Sequence, residues 1–232
     1  MRFRMVATDY DGTLANDGRV SKDTLQALQR VRESGRRLVL ITGRELESLQ
    51  GVFRELHLFD LIVAENGALL YYPSTREEKP LAKSPPAGFV EMLRRSGVSP
   101  LSVGRCIVAT VKPHDVAVRL AIRELRLDWQ IILNRESVMV LPAGVDKGTG
   151  FRASLGELGV TDASVVGIGD AENDSAFLTL CGLSVAVANA IPSLKEQVQL
   201  VTSGEDGAGV GEVLEKLLTE EDSLGVVHPR IQ

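Results

Sequence analysis

The sequence predicts an α/β fold, with a doubly wound parallel Rossmann-like sheet as its core and a small α+β domain inserted into it. Short apolar runs alternate with segments of helical apolar spacing near both ends of the chain. That alternation is typical of a parallel sheet covered by helices on both faces. Between the two ends, a stretch rich in Pro, Lys and Glu interrupts the alternation, and a different pattern follows it. The chain is therefore expected to leave its core, build a second unit and return.

The first part of the core is predicted from four strands and two helices. The apolar run at residues 3–8 indicates a buried strand that stops at Asp9. Ser21 opens a helix and Gly35 ends it, as expected of an N-cap and a C-terminal glycine. The other predicted elements are strands at 37–41, 61–64 and 68–72, and a helix with Leu46, Leu49, Val52, Phe53 and Leu56 on its apolar side.

The interruption at residues 73–88 is predicted to be a linker, and the inserted unit is expected to be an antiparallel sheet with two helices. The residues Pro142-Ala143-Gly144 mark the return to the core. The predicted elements of the insert are helices at 88–96 and 114–127, a strand at 102–111 and two short strands within 129–141.

The second part of the core continues the alternation of strands and helices. Its predicted elements are helices at 147–158, 173–180, 192–197 and 208–218, and strands at 164–168, 183–187 and 198–202. The resulting division is a core at 1–82 and 144–218, an insert at 83–143 and a tail at 219–232 with little periodicity.

Composition indicates an ordinary soluble, cytoplasmic protein. Of the 232 residues, 44% are hydrophobic, which is enough for a buried core, and the formal net charge is −5. This charge favours neither nucleic acid nor an anionic membrane as a partner, and we see no signal peptide or membrane span. Cys106 and Cys181 lie in apolar runs outside any zinc-type pattern, so we expect two buried free thiols.

The first chemical motif is the run Asp9–Leu14 (DYDGTL), at the carboxyl end of the first strand. Residues two apart on an extended chain point the same way, so the Asp9 and Asp11 carboxylates start close together. At about 4 Å they repel by about 4 kcal/mol at an effective dielectric constant near 20, so such a pair requires a cation or a shared proton. Gly12 allows a sharp turn whose N–H groups can face an anion. The alternative is a surface turn capped by Asp9.

The second motif is the run Gly169–Asp174 (GDAEND), which again follows an apolar strand. The carboxyl ends of parallel strands lie along one edge, where ligands bind. Asp170 and Asp174 can therefore converge with Asp9 and Asp11. Carboxylate oxygens in that number suit Mg²⁺. A capped turn is the alternative.

Two shorter signals lie at a strand end and at a helix start. The run Thr42–Arg44 (TGR) follows a strand, where a threonine hydroxyl and a helix N-terminus favour phosphate, although a plain N-cap threonine is the alternative. Lys147 begins a helix, where the dipole disfavours a cation unless an anion is present. Here the alternative is Asp146 as the N-cap beside a solvated lysine. A single phosphate-and-metal site explains all four motifs together.

Together the motifs resemble those of the haloacid dehalogenase-like (HAD) phosphohydrolase superfamily. The Asp9–Leu14 run matches its first motif, Thr42 the second, Lys147 the third and the Gly169–Asp174 run the fourth, in the same order and spacing. The resemblance extends to about residue 218. The position of the insert suggests a C2-type α/β cap, and the Glu65–Ala68 segment is similar to the Cof-type group. That group includes phosphoglycolate and sucrose-phosphate phosphatases.

The resemblance implies a Mg²⁺-dependent phosphatase with an aspartyl-phosphate intermediate. Asp9 is then the nucleophile, Asp11 the general acid and base, and Thr42 and Lys147 hold the phosphoryl oxygens. Mg²⁺ is held by the Asp9 carboxylate, the Asp11 backbone carbonyl and Asp170, with Asp174 as a ligand or support. Further candidates for binding phosphate or substrate are Gly43, Arg44 and Asn173.

The leaving group is expected to be a small phosphorylated metabolite of the phosphoglycolate or sugar phosphate class, read by the cap. Candidate cap contacts are Arg105, His114, Asn134 and Arg135, each of which is otherwise a solvated surface residue; Trp129 also lies in the cap. A phosphomutase with the same nucleophile, a phospho-receiver domain and a non-catalytic regulatory domain are the competing hypotheses. The oligomeric state is expected to be a monomer or a homodimer.

Overall fold

The structure is a computed structural model that describes residues 1–221 and Leu224. The strands of the described residues build two separate sheets. In chain order the strands are β1 (Met5–Asp9), β2 (Arg37–Ile41), β3 (Leu61–Ala64), β4 (Leu69–Tyr72), β5 (Glu77–Pro80), β6 (Ser102–Val103), β7 (Val108–Val111), β8 (Trp129–Asn134), β9 (Ser137–Pro142), β10 (Val165–Gly169), β11 (Leu183–Ala186) and β12 (Leu200–Val201). The helices are α1 (Lys22–Glu33), α2 (Leu46–Val52), α3 (Ala87–Arg95), α4 (Asp115–Glu124), α5 (Lys147–Leu158), α6 (Ser175–Leu178), α7 (Pro192–Lys195) and α8 (Asp206–Thr219).

The larger sheet has the order β12-β11-β10-β1-β2-β3-β4-β5, and its six strands from β12 to β3 are parallel. Helix α1 packs against α8, and α5 packs against α6. The crossovers from β1 to β2 and from β10 to β11 run in opposite directions along the sheet, so right-handed connections place α1 and α6 on opposite faces. This confirms the doubly wound α/β core.

One edge of the larger sheet departs from the prediction. The stretch 73–88 is not simply a linker, because it contains β5, which pairs antiparallel with β4, and β4 pairs antiparallel with β3. Strand β5 reads Glu-Glu-Lys-Pro and is mostly exposed. Charges and proline are typical of an edge strand that must not pair further, and they hide the strand from any search for apolar alternation.

The smaller sheet is antiparallel, with the order β6-β7-β9-β8. The predicted strand at 102–111 is wrong as one element, because residues 104–107 form a loop between β6 and β7. Helices α3 and α4 pack on this sheet around a small core centred on Phe89, Leu93 and Val118. We call the unit formed by α3, α4 and this sheet the cap; its predicted bounds of 83–143 stay a prediction.

Smaller differences concern helix ends and the tail. The helix predicted up to Leu56 ends at Val52, and the one predicted at 173–180 begins as a 3₁₀ turn at 172–174 before α6. Of the two thiols, Cys106 is buried whereas Cys181 is half-buried. None of the described helices is long and apolar enough to cross a membrane. Apart from residues 219–221 and 224, the predicted tail lies outside the described residues.

Candidate active site

The sheet order brings the sequence motifs together at the carboxyl ends of the central parallel strands. Strands β10, β1 and β2 are neighbours, with Thr8 paired to Ile168 and Asp9 to Ile41. The residues that follow these strand ends are therefore adjacent, as parallel pairing requires. Asp9, Thr42 and Asp170 are all at least 96% buried.

Three buried carboxylates form a cluster at this edge. One oxygen from each of Asp9, Asp170 and Asp174 lies within 4.8 Å of the others. The side chain of Asp174 is held in place, because its Oδ2 accepts hydrogen bonds from the backbone N–H groups of Asp170 (2.9 Å) and Ala171 (3.0 Å). A Cβ atom on Gly169 would lie 2.7 Å from the Asp174 side chain, so only glycine permits this close approach.

Lys147 is the buried cation of the site. Its Nζ donates to Asp9 Oδ1 at 2.5 Å and to Asp174 Oδ1 at 2.6 Å, and the residue is 1% exposed. Burial works against the charge, but the Asp174 and Asp9 carboxylates outweigh it and raise the pKa of Lys147. Lys147 is therefore a cation clamped between two aspartates.

The start of α5 explains how a lysine can be buried there. Asp146 is the N-cap, in a capping box with Thr149. A Cβ atom on Gly148 would lie 2.4 Å from the Ala176 carbonyl oxygen, and one on Gly150 would lie 2.5 Å from the Cα of Gly67. Because these positions are glycines, the first turn of α5 can pack closely against the core. The alternative for this motif is therefore right that Asp146 is the N-cap, but wrong that Lys147 is solvated.

The cluster carries more negative charge than its buried partner balances. Burial, together with Asp174 and Asp170, raises the pKa of Asp9 well above its usual value despite Lys147. Burial and Asp174 raise the pKa of Asp170 to about 6. Three carboxylates around one buried ammonium are a hard-oxygen donor set with excess negative charge, which fits a divalent cation such as Mg²⁺.

Asp11 lies apart from this cluster. Its carboxylate is exposed and accepts two hydrogen bonds from Arg44, from Nε at 2.7 Å and from the terminal nitrogen at 2.6 Å. The hydrogen bond to Asp11 raises the pKa of Arg44, which also lies over the Tyr10 ring at 5.6 Å. The expected convergence of four aspartate carboxylates is therefore not seen, because the Asp11 carboxylate pairs with Arg44 and only Asp9, Asp170 and Asp174 form the cluster.

Gly43 lines the site beside Arg44, whereas Thr42, which precedes it, does not. Thr42 is fully buried, and its hydroxyl accepts from the Arg44 N–H at 3.1 Å. The N-cap of α2 is Glu45, so the plain N-cap alternative for Thr42 is wrong. A Cβ atom on Gly43 would lie 3.0 Å from the Met139 sulfur in the cap, so glycine here gives the cap room to approach.

Asn173 connects the core with the cap through side-chain amides. It donates to Asn66 Oδ1 at 3.0 Å and accepts a longer bond from Asn134 at 3.4 Å. At the two ends of this chain, Asn66 Nδ2 and Asn134 Oδ1 are buried without a hydrogen-bond partner among the described residues. The amide chain thus leaves one donor and one acceptor free beside the site.

Arg135 is another cap residue that reaches the core. It lies at the tip of the β8–β9 hairpin, with a φ of 53°, and donates to Asp170 Oδ2 at 2.6 Å. The other oxygen of Asp170 accepts from the Thr13 hydroxyl at 3.1 Å. A Cβ atom on Gly12 would lie 3.2 Å from the same Arg135 nitrogen, so the turn after Asp9 must be narrow for this contact.

These groups surround a cavity of about 440 Å³ between the core sheet edge and the cap. Most of the residues that line it are polar or charged, and the charges are of both signs. From the core it is lined by Asp9, Asp11, Gly43, Arg44, Glu45, Ser48, Lys147 and Asn173, and from the cap by Ser102, Ala109, Thr110, Asn134, Arg135, Ser137 and Met139. A small polar molecule fits this space.

Two residues proposed as cap contacts, Arg105 and His114, lie elsewhere, and so does Trp129. Arg105 makes ion pairs with Glu78 and Glu47, the His114 ring bonds the Ser99 carbonyl oxygen, and Trp129 packs on Phe89. None of the three lines the cavity. Asn134 and Arg135 do line it, so the hairpin tip that carries them is one of the parts of the cap that face the core.

Sequence reasoning missed the residue that ties the cap to the core. Glu65 is 1% exposed, and its carboxylate accepts hydrogen bonds from the backbone N–H groups of Arg105 (2.8 Å), Cys106 (2.6 Å) and Ile107 (3.1 Å). Burial raises the pKa of Glu65, and these donors oppose that rise. The signal was an acidic residue directly after a buried strand, noted only as part of the Glu65–Ala68 resemblance.

A sequence model of haloacid dehalogenase-like hydrolases matches residues 6–99 and 130–214. Phosphoglycolate phosphatase 2 of Saccharolobus solfataricus is 34% identical, with 93% of this chain and 92% of that protein covered. The phosphoglycolate phosphatase of Methanothermobacter thermautotrophicus is 29% identical, with 93% and 99% covered. A haloacid dehalogenase-like hydrolase structure from Bacteroides thetaiotaomicron superposes with a TM-score of 0.79 at 21% identity, covering 93% of this chain and 99% of that one.

The chain belongs to the haloacid dehalogenase-like hydrolase family, and its activity class is that of a phosphoric monoester hydrolase. The family match covers most of both parts of the core, together with α3 and the last two strands of the cap. A phospho-receiver or a purely regulatory domain is therefore not supported.

Proposed function

We propose that the chain is a Mg²⁺-dependent phosphatase that hydrolyses a small phosphorylated metabolite through an aspartyl-phosphate intermediate on Asp9. The observation that carries this proposal is the buried cluster of three carboxylates around Lys147, which opens into a polar cavity of about 440 Å³. Phosphate monoesters are among the slowest substrates to hydrolyse in water, so several charged groups must act on one phosphoryl group.

The metal is assigned to the Asp9, Asp170 and Asp174 carboxylates, together with the Asp11 backbone carbonyl. Their buried excess of negative charge supports this assignment. When bound there, Mg²⁺ supplies charge neutralisation between the Asp9 carboxylate and an incoming phosphoryl group. All other steps are assigned to side chains of the protein.

Asp9 acts as the nucleophile. One carboxylate oxygen of Asp9 forms a bond to phosphorus while the bond from phosphorus to the ester oxygen breaks. Lys147 holds the Asp9 side chain at 2.5 Å and keeps a positive charge beside the phosphoryl oxygens. We assign the binding of the same phosphoryl group, or of the rest of the substrate, to Thr42, Gly43 and Asn173. Thr42 is buried, so its hydroxyl is the group through which it can approach the phosphoryl oxygens.

Asp11 acts as general acid and then as general base. It donates a proton to the leaving ester oxygen, and in the second step it takes a proton from the water that hydrolyses the aspartyl-phosphate and releases inorganic phosphate. Its exposed carboxylate lines the cavity, and the two hydrogen bonds from Arg44 set its orientation. Arg44 is thus a positioning residue for the proton transfer.

Phosphoglycolate is the first substrate to test, with sugar phosphates second. Two relatives that cover more than nine-tenths of this chain carry the name phosphoglycolate phosphatase. Most of the residues that line the cavity are polar or charged and none of them is aromatic, which suits a short anionic substrate better than an aromatic one.

Phosphate release from a panel of monoesters tests the proposal. The panel contains p-nitrophenyl phosphate, phosphoglycolate and several sugar phosphates, each assayed with Mg²⁺ and with EDTA. We expect turnover with Mg²⁺, its loss with EDTA and its return when Mg²⁺ is added back. Turnover that EDTA leaves unchanged contradicts the metal assignment, and inactivity towards the whole panel contradicts the phosphatase assignment.

A further inference from the structure

We propose that Arg135, at the tip of the cap hairpin, selects substrates whose leaving group carries a carboxylate next to the phosphate ester. The inference rests on the proposed phosphatase function and adds to it a specificity-determining residue. It follows from the partners of the cations around the cavity, from their burial and from the cap residue next to Arg135.

Among the described residues, the cationic side chains that line the cavity are Arg44, Arg135 and Lys147. Lys147 is clamped between two buried aspartates, and Arg44 is held in a two-point contact by Asp11. Both therefore have fixed partners that the proposed mechanism retains. Arg135 is the one of these three that lies on the cap.

The partner of Arg135 is a carboxylate that has a second task. Asp170 belongs to the three-carboxylate cluster, and its Oδ2 lies 2.6 Å from the Arg135 guanidinium. Whenever Asp170 faces a divalent cation, that cation repels the guanidinium and competes for the same carboxylate. Arg135 then has an unbalanced charge at the cavity and is free to accept another anion.

Arg135 can make this exchange because its side chain is not packed in place. Its side chain is 60% exposed, compared with 1% for Asp170, and it extends from a hairpin turn. A planar guanidinium binds a carboxylate through two parallel hydrogen bonds, whereas it gains much less from a neutral hydroxyl. A carboxylate on the leaving group is thus the anion of matching geometry.

The cap residue next to Arg135 contacts the core beside it. Asn134 donates to Asn173 at 3.4 Å, which holds the tip against the core. Its Oδ1 is buried without a partner among the described residues, and a buried acceptor without a donor is costly. A carboxylate cannot satisfy this acceptor, so the ligand contact at the tip is assigned to Arg135, which the bond from Asn134 to Asn173 keeps at the wall of the cavity.

The test compares two substrates that differ only at that group. Phosphoglycolate has a carboxylate where 2-hydroxyethyl phosphate has a neutral hydroxymethyl group. For Arg135→Gln we expect kcat/KM for phosphoglycolate to fall by about 10- to 100-fold, mostly through KM, with hydroxyethyl phosphate changed by less than about threefold. Arg135→Lys should fall between wild type and Arg135→Gln, because a lysine keeps the charge but not the two-point geometry.

Arg119→Gln is the matched control. Arg119 is also a cap arginine with a side chain 60% exposed, but its ion-pair partner is Asp115 on its own helix. This variant should leave the activity towards both substrates unchanged. Thermal unfolding of all the variants verifies that they fold.

A second readout separates substrate selection from a role in the metal site. Titration calorimetry of the metal-free protein with Mg²⁺, in the absence of substrate, should show affinity for Arg135→Gln equal to or higher than that of wild type, because a competing cation is gone. Equal losses on both substrates, no loss on either, or weaker Mg²⁺ binding by Arg135→Gln would overturn the inference in an enzyme that is still active. A wild-type protein inactive towards every ester, including p-nitrophenyl phosphate, would instead overturn the proposed function itself, and the inference with it.

Discussion

Two cations contact the same carboxylate cluster, and they differ in burial, in backbone position and in the number of their partners. Lys147 is 1% exposed, begins a helix packed tightly through glycines, and bonds two aspartates at 2.5 and 2.6 Å. Arg135 has a side chain 60% exposed, lies on a hairpin turn and bonds one aspartate. Burial holds the charged side chain of Lys147 in one position in the core, whereas the exposed side chain of Arg135 in the cap can exchange one partner for another.

The largest effect is expected inside the core. Asp9→Asn should lower kcat by at least about 10³-fold, because an amide is not a nucleophile towards phosphorus. Release of p-nitrophenol from p-nitrophenyl phosphate measures it. Asp17→Asn, at an exposed turn outside the cluster, is the control and should keep full turnover. Full turnover by Asp9→Asn in clean protein would remove the nucleophile assignment.

Lys147→Met tests the fixed cation directly. Removing it leaves Asp9 and Asp174 buried without their counter-ion, so we expect a loss of about 3–5 kcal/mol in the free energy of unfolding, measured by urea denaturation. Lys216→Met removes a half-exposed i,i+4 partner of Glu212 in α8 and should cost less than about 1 kcal/mol. Similar losses in the two variants would mean that burial does not distinguish the site lysine.

Glu65→Ala tests the junction between the two regions. Three backbone N–H groups of the cap loop at residues 105–107 then lose their acceptor, and we expect about 2–3 kcal/mol of destabilisation in urea. The control is Glu78→Ala, which removes an acceptor only from the exposed Arg105 side chain and should cost less than about 1 kcal/mol. If both variants behave alike, Glu65 does not anchor the cap.

The pKa of Glu65 also predicts the direction in which the stability of the protein changes with pH. Because burial raises it, the folded protein holds this proton more tightly than the unfolded chain does. Wild type should therefore lose stability relative to Glu65→Gln as the pH rises through the folded-state pKa of Glu65. Urea midpoints of the two proteins across a pH series measure the difference, and a gap that widens in favour of wild type would contradict the sign.

The smallest effect is expected at the amide chain between core and cap. Asn173→Ala removes one good hydrogen bond to Asn66 and one long one to Asn134, so we expect a loss of about 1 kcal/mol and a rise in KM of about threefold. Asn16→Ala, which removes an exposed amide outside the cavity, controls for loss of an ordinary surface bond and should leave KM unchanged. An effect of Asn173→Ala as large as that of Lys147→Met would mean that the tip is held as rigidly as the cluster.

Where the sequence predicted well, the reason was a local pattern with one structural outcome. Apolar runs that stop at Asp9, at Thr42 and before Asp170 predicted strand ends, and parallel pairing then left one edge where these residues could meet. The charged edge strand β5 was missed, because no apolar alternation marks a strand that faces solvent.

Where the sequence failed, the partners were far apart in the chain and lay in different units. Arg105 and His114 were as plausible from their type as Asn134 and Arg135, yet only the latter two line the cavity. Nothing local in the sequence indicates which end of the cap faces the core. That choice depends on how the cap docks, to which Glu65 contributes three hydrogen bonds.

The α/β core, the inserted unit and the residues at the carboxyl ends of the strands can be predicted from the sequence. Burial of one face of each helix or strand requires a local pattern of apolar residues, and this pattern is visible without the structure. Three pairings are visible only in the tertiary structure: Lys147 with two aspartates, Asp11 with Arg44, and Arg135 with Asp170. Those pairings depend on distances between segments up to 138 residues apart, which packing sets and composition does not.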